Sequence, residues 1–573
     1  MAMDVTIKVG GEAGQGVQTI GYVLAKACAR GRLNVFAFQD YESRIRGGHN
    51  FYQVRVRDAP VAAGSEAVHI LVALNRETID LHQGQVVERG VVLFDPDKVK
   101  AESGPRFFGV PFERLAQEAT GNRIMSNTVA TGAALGMAGY DLSVLAGVLR
   151  EHFGGAGREV AESNVKAASA GYEYARREFK GDFSYQLHPE AGPERMLISG
   201  NEATALGALG AGCKFVSSYP MTPTTSIMEF MAEKAGDFDL VVLQAEDEIA
   251  AMNMVIGASF AGVRAMAATS GGGFSLMVEG LGLAGMTETP IVIVEGQRGG
   301  PSTGLPTRTE QGDLEFVLYA SQGEFPRIVL APATIEDAFY MTARAFNLAE
   351  RYQVPVIILS DQHLASSYAT VDRFDHSRVT IERSLISGTE AASGGYERHR
   401  FTDSGISPRA IPGQRGALVV TAGDEHDEEG HITEDAELHT KMMLKRLRKL
   451  EGARQEMGQV RRYGPEGAEV TLLGWGSTYG ALAEATDMLR AEGKAVNLLH
   501  LSELWPFPAR AVAEALGRAK LSEVVEQNVT GQLAHLIRAE TGRAVSGKLS
   551  KFDGRALLPG YIVGELKREV KGW

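Results

Sequence analysis

Three acids stand together at Gln244-Ala245-Glu246-Asp247-Glu248, directly ahead of the apolar run IAAMNMVIGASFAG. They close a strand and open a helix. Negative charge at a helix N-terminus is favourable, and that alone would account for them. Yet Glu248 heads a helix of Ala, Met, Ile, Val and Gly that must be buried, so its carboxylate enters dry surroundings. Such a group suits thiamine diphosphate. A glutamate hydrogen-bonded to the aminopyrimidine favours the imino tautomer, which removes the thiazolium proton. From the residues alone, capping and this chemistry carry equal weight.

Other segments place reactive side chains in loops. Arg298 lies in Glu295-Gly296-Gln297-Arg298-Gly299-Gly300-Pro301-Ser302-Thr303-Gly304, after the strand PIVIV, and Arg308 follows on the same loop. So much Gly and Pro fixes an unusual backbone path, and a placed guanidinium can clamp a carboxylate. Ser218-Tyr219-Pro220-Met221-Thr222-Pro223-Thr224 joins a strand to a helix. Its Thr and Pro residues suit helix capping, or a hydroxyl cluster at a strand's carboxyl end. Tyr41-Glu42-Ser43-Arg44-Ile45-Arg46-Gly47-Gly48-His49 presents cations to an anionic ligand, or is a solvated loop. Gly11-Glu12-Ala13-Gly14-Gln15-Gly16 follows a strand and precedes a helix. Its glycines let N–H groups approach a phosphate, but the spacing is neither GxGxxG nor a P-loop, and a plain packing turn is the simpler reading. His426, His431 and His439 flank an acidic run whose spacing matches no zinc pattern; a solvated connector is expected there.

The elements that must position these residues are those of an α/β protein with three α/β domains. Residues 1–181 form the first, with a largely parallel sheet. Residues 182–195, with two prolines and no apolar period, are a linker. Residues 196–385 form the second domain, with strands in KFVSSYP, DLVVLQ, RAMAATS, PIVIVEG, RIVLAP and PVIILSD. Residues 386–465 are an irregular connector ending in the basic helix KMMLKRLRKL, and 466–573 form the third α/β unit.

Bulk properties exclude several classes. A formal charge of −13 argues against nucleic acid as a partner. Two cysteines, Cys28 and Cys213, hold neither a four-cysteine iron–sulfur cluster nor a structural zinc, and their low count fits a reducing cytosol. The first residues, MAMDVTIKVGG, lack a basic stretch followed by an apolar run, and no apolar stretch spans a membrane. A cytoplasmic protein without membrane contact is expected.

Taken together, these motifs resemble the 2-oxoacid:ferredoxin oxidoreductases, most closely the alpha subunit of the 2-oxoglutarate type, over nearly the whole chain. GGEAGQG and YESRIRGGHN look like the gamma domain, here fused ahead of alpha. Residues 196–385 look like the pyrimidine-binding thiamine domain, through SYPMTPTT, QAEDEIAAMNMVIGAS, ATSGGG and EGQRGGPSTGLPTRTEQGDL. Residues 466–573 look like the transketolase C-terminal-like domain.

The resemblance implies that Thr222 and Arg298 take the 2-oxoacid carboxylate and Glu248 the aminopyrimidine. Glu248 is preferred to Glu246 for its distance before Gly257-Ala258. Gly271 and Gly272 would admit the cofactor. Gly14 and Gly16 would serve coenzyme A, and Arg44, Arg46, His49 and Arg308 are candidates for a second carboxylate. The chain has no GDG motif and no CxxC. The resemblance therefore implies a beta subunit holding Mg²⁺, the diphosphate and a [4Fe-4S] cluster, with no metal on this chain. It also implies ferredoxin as acceptor and a dimer of alpha–beta pairs. The implied reaction is reversible, coenzyme A-dependent oxidation of 2-oxoglutarate to succinyl-CoA and CO₂. Pyruvate, a branched-chain 2-oxoacid or indolepyruvate are alternative substrates; a scaffold subunit and a nucleotide-dependent dehydrogenase are the rival classes.

Overall fold

The computed structural model describes residues 3–44, 47–101, 104–388 and 395–570. It has two compact units. The first comprises Met1–Ser199, Ser366–Arg373 and Leu558–Gly564; the second comprises Gly200–Ala365, Phe374–Leu557 and Glu565–Trp573.

The first unit is built on an 8-stranded sheet. From Asp4–Ala13 one side runs parallel, through Val68–Ala73 and Val86–Phe94 to Phe107–Gly109. The other side is antiparallel, through Gly47–Arg57, Asn34–Asp40, Tyr368–Val371 and Met196–Ser199. The expected parallel sheet thus holds for half of it. The reason is local: the link from Asn34–Asp40 to Gly47–Arg57 is too short for a crossover, which needs a dozen residues or more. Two strands reach this sheet from beyond the expected 1–181 segment. Thr370 Oγ1, for example, accepts the Val35 N–H at 2.8 Å. Helices Ser126–Met137 and Arg158–Glu178 pack so closely that a Cβ on Gly132 would lie 1.9 Å from the Ala168 carbonyl oxygen.

The second unit contains a 7-stranded and a 5-stranded sheet. In the larger, the order is Glu503–Trp505, Ile328–Leu330, Pro355–Asp361, Ile291–Gln297, Ala265–Thr269, Phe215–Ser218 and Val241–Gln244. All neighbours are parallel except the first pair. The inner strands Ile328–Leu330, Pro355–Asp361, Ile291–Gln297 and Ala265–Thr269 are buried and rich in Val, Ile, Leu and Ala, as a sheet covered on both faces demands. The smaller sheet places Val470–Trp475, Val496–Leu501, Leu521–Glu526 and Gly547–Ser550 parallel, with Val460–Tyr463 antiparallel at one edge.

The acidic run is not the solvated connector that its composition suggests. His426 is fully buried, its ring 3.9 Å from that of His399. Glu425 accepts both Arg446 Nη1 and Nη2, at 2.9 and 2.8 Å. The helix Ala436–Glu456 turns a face of Met442, Lys445, Arg446, Lys449 and Ala453 inward. Lys445 Nζ meets the buried Glu288 carboxylate at 2.6 Å, and Lys449 meets its other oxygen. Glu288, His399 and His426 bring their ligand-type atoms within 4.8 Å of one another. The Glu288 oxygens are already committed to the two ammoniums, so the trio serves as an ion-paired anchor. No helix among the described residues is long and apolar enough to cross a membrane.

Candidate functional site

In open α/β sheets, ligand-binding loops gather at the carboxyl ends of parallel strands. The second unit follows this rule. Ser218 leads into Thr222, Gln244 into Glu248, Thr269 into Gly271 and Gln297 into Arg298. Three of these loops, those through Met221, Ser270 and Arg298, bound a cleft of about 540 Å³, lined also by Gly272, Asp313 and Phe316.

The three acids after Gln244 divide their roles. Asp247 is the N-cap of Glu248–Phe260, its Oδ1 accepting the Ala250 N–H at 2.7 Å. Glu246 is exposed. Glu248 is 3 % exposed, and its Oε1 has no hydrogen-bond partner among the described residues. A buried carboxylate oxygen left unpaired is costly, so it marks a place where a donor belongs. Gly273 stands against this carboxylate: a Cβ there would come within 2.1 Å of Thr269 Oγ1 and 2.6 Å of Glu248 Oε1. Gly272 is exposed, with nothing within 4 Å of where its Cβ would be. Ser270, the N-cap of Gly271–Met286, is fully buried and its Oγ is also unpartnered among the described residues.

Arg298 and Thr222 are brought together: Arg298 Nη1 donates to the Thr222 carbonyl at 2.8 Å. Burial lowers the Arg298 pKa, with Glu295 opposing. The expected Thr caps do not form. Thr224 Oγ1 instead donates to the Met221 carbonyl at 3.1 Å. The loop beyond Arg298 closes on itself, Leu305 N donating to Gly299 O at 2.7 Å. It is then pinned to the smaller sheet through Gln311, whose Nε2 donates to Trp475 O at 3.0 Å. Arg308 lies buried on this loop and packs against Gly554. Burial, and then the charge of Arg555, lower its pKa to about 10.

Two residues that the motifs did not single out meet beside Arg298. Glu295 is fully buried, and Asp313 is its carboxyl neighbour on the cleft wall. Burial lifts Asp313 to about 6. Burial and then Asp313 lift Glu295 well above the usual carboxylate range, against the weaker pull of Arg298. Glu295 begins the Arg298 segment and Asp313 ends the string TEQGDL; only the fold shows that they touch.

In the first unit, the two glycine motifs come together through strand register. Glu12 pairs with His49 and Ala13 with Gly47. The strand continues through Gly10 and Gly11 to Ala13, so the turn is confined to Gly14-Gln15-Gly16, with φ of +90° and +76° at its glycines. His49 Nε2 lies 2.8 Å from His82 Nε2. Lys8 sits over the Phe51 ring at 4.3 Å and donates to Gln85 at 2.7 Å. Burial, with Lys8 and His49 adding to it, lowers His82 to about 3; burial lowers Lys8 to about 7. Neither residue was expected from the sequence motifs. Arg44 is exposed and paired with Glu42 at 2.9 Å. Arg46 lies outside the described residues.

The chain is similar to known proteins along its length. Residues 6–174 match the family described as pyruvate ferredoxin/flavodoxin oxidoreductase, 206–445 its thiamine diphosphate-binding region, and 468–560 the pyruvate:ferredoxin oxidoreductase core domain II. It is 33% identical to 2-oxoacid:ferredoxin oxidoreductase 2, subunit alpha, of Aeropyrum pernix, covering 99% of this chain and 98% of that one. It is 36% identical to 2-oxoglutarate synthase subunit KorA of Methanothermobacter marburgensis, covering 65% of this chain and 98% of that one. A solved 2-oxoglutarate:ferredoxin oxidoreductase from Magnetococcus marinus, with 2-oxoglutarate, coenzyme A and succinyl-CoA bound, matches with a TM-score of 0.93 at 35% identity, covering 99% of each chain.

Proposed function

Because this chain belongs to the 2-oxoacid:ferredoxin oxidoreductases, as an alpha subunit, we propose that it supplies the pyrimidine side of a thiamine diphosphate site acting on 2-oxoglutarate. The observation that carries this reading is Glu248: buried, its Oε1 unpaired, beside glycines that leave room at the carboxyl edge of the sheet. When bound, thiamine diphosphate supplies the carbon nucleophile and the electron sink for decarboxylation. Glu248 accepts a hydrogen bond from the aminopyrimidine and so controls a proton at that ring. Arg298, steadied by the Thr222 carbonyl, orients the substrate carboxylate, and the Thr222 hydroxyl assists it. Met221 and Phe316 supply the apolar part of the cleft wall.

The chain carries no GDG motif and no CxxC. In our reading a beta subunit brings Mg²⁺, the diphosphate contacts and a [4Fe-4S] cluster, passes electrons to ferredoxin, and joins this chain in a dimer of alpha–beta pairs. Coenzyme A binds near Gly14 and Gly16. Arg44, Arg46, His49 and Arg308 are the candidates for the second carboxylate of 2-oxoglutarate. The choice of 2-oxoglutarate is supported by the likeness to a structure holding that substrate and to a 2-oxoglutarate synthase subunit.

The test is 2-oxoglutarate-dependent dye reduction with coenzyme A and thiamine diphosphate, on this chain alone and co-expressed with its neighbouring gene. Activity only in the pair is expected, with pyruvate the poorer substrate. Activity in the chain alone would sink the shared-site reading. A preference for pyruvate would overturn the substrate. In the same assay, an unchanged KM for 2-oxoglutarate in Arg44→Ala and Arg308→Ala would remove both residues from the second-carboxylate subsite.

A further inference from the structure

Neither oxygen of Glu295 receives a hydrogen bond from a described donor, although the side chain is fully buried. The group it faces is another carboxyl, that of Asp313, within hydrogen-bonding reach. Two carboxylates bond to each other only through a proton, since an ionised carboxylate has acceptors and no donor. Asp313 is held firmly in place. Its N–H donates to Gln297 Oε1 at 3.1 Å, and a Cβ on Gly271 would lie 2.4 Å from its Oδ2. Like charges so close do not both ionise readily in a dry setting.

The surrounding charges set the consequence. Arg298, three residues after Glu295, lines the same cleft as Asp313. Glu310 is raised to about 7, by burial and then by Asp313, so it carries only about half a negative charge at neutral pH. Asp361 is satisfied from the other side, by Ser477 Oγ at 2.5 Å and the Leu364 N–H at 2.9 Å, with buried His363 beside it. With Glu295 and Asp313 both ionised, they and Arg298 would sum to one net negative charge, which repels an anionic substrate. With one proton between the carboxyls, the sum is zero.

We propose that Glu295 and Asp313 share a single proton, and that this proton keeps the Arg298 guanidinium available to the substrate carboxylate. Glu295 and Asp313 are then positioning residues that set affinity for the 2-oxoacid. The inference rests on the reading of Arg298 given above, and the experiment separates the two.

Infrared difference spectra at neutral pH, parent minus Glu295→Gln, are expected to show a protonated-carboxyl band. In the assembled enzyme, KM for 2-oxoglutarate should rise roughly tenfold as alkaline pH removes the shared proton, since one unscreened charge then stands beside the subsite. In Glu295→Gln KM should stay flat over that range, because the amide replaces the protonated partner at every pH and leaves Asp313 ionised throughout. Absence of the band from that difference spectrum, or a parental KM–pH profile in Glu295→Gln, would overturn the proposal. Arg298→Ala tests the premise: a raised KM supports it. An unchanged KM with the band intact would refute the role of Arg298, and with it the effect on affinity, while leaving the shared proton established.

Discussion

At the scale of single residues, Glu248 is defined as much by its neighbours as by its own chemistry. Asp247 takes the capping duty, which leaves Glu248 free of the helix N-terminus. Gly273 leaves the carboxylate the space it occupies. Glu248→Gln keeps the shape but weakens the acceptor, and should lower 2-oxoglutarate-dependent turnover by about 10²–10⁴-fold while the melting temperature stays put. Gly273→Ala should mimic that loss from beside the carboxylate, because its methyl needs the volume the carboxylate fills. Overpacking of this sort costs roughly 1–3 kcal/mol, so a small drop in melting temperature should accompany it. Full activity in Gly273→Ala would show that the carboxylate does not need its present position. The burial of Glu248 was legible in the sequence because it heads an apolar helix. Glu295 and Asp313 were not, because only the fold closes the chain between them.

Among the elements, the helix Ala436–Glu456 shows how a charged pattern misleads. KMMLKRLRKL reads as a basic helix ending an irregular connector, yet Lys445 and Lys449, one turn apart, point inward to Glu288. Periodicity was legible there; the buried acid that gives it meaning lies 157 residues away from Lys445. Burial pushes the Glu288 carboxyl up, but Lys449, Lys445 and the His399 hydrogen bond outweigh it and hold it well below its usual value. A carboxylate whose folded pKa is depressed contributes stability above its unfolded pKa, about 4.3, and loses that contribution as pH falls toward the folded value. Glu288→Gln leaves two buried ammoniums without a counter-charge and should cost roughly 3–5 kcal/mol at neutral pH. The gap between variant and parent in chemical denaturation should narrow below about pH 4. A gap that stays constant from neutral pH into that range would mean that Glu288 is not ionised in the fold. The same limit of sequence reading applies to the strands Met196–Ser199 and Tyr368–Val371. Each is short and ordinary, and joins the sheet of the first unit only through distant partners.

For the molecule as a whole, the decisive feature is what surrounds the cleft in the second unit. Val241–Gln244 is the outermost strand of the larger sheet, and Val241 and Leu243 on it are exposed. Ile249 and Met254 on the Glu248 helix, and Leu276 on the helix after Gly271, are exposed too. Apolar side chains gathered on an open edge strand and the adjacent helices make a liability for a chain that stands alone. They suit an interface whose centre is apolar. Glu248 and Gly271, the residues proposed for the cofactor, lie on these same helices, so the proposed beta subunit would close that site by covering them. The relatives' designation as alpha subunits agrees with a second chain as the occupant. Leu243→Lys and Ile249→Lys place charge where that chain would seat and leave the core untouched. Each variant should fold with the parent's melting temperature, fail to co-purify with the beta subunit, and lose dye reduction in the mixture. Lost activity with pairing intact would place the effect in the site itself. Normal pairing and activity in both variants would show that the beta subunit docks elsewhere and that the cleft is completed from another direction.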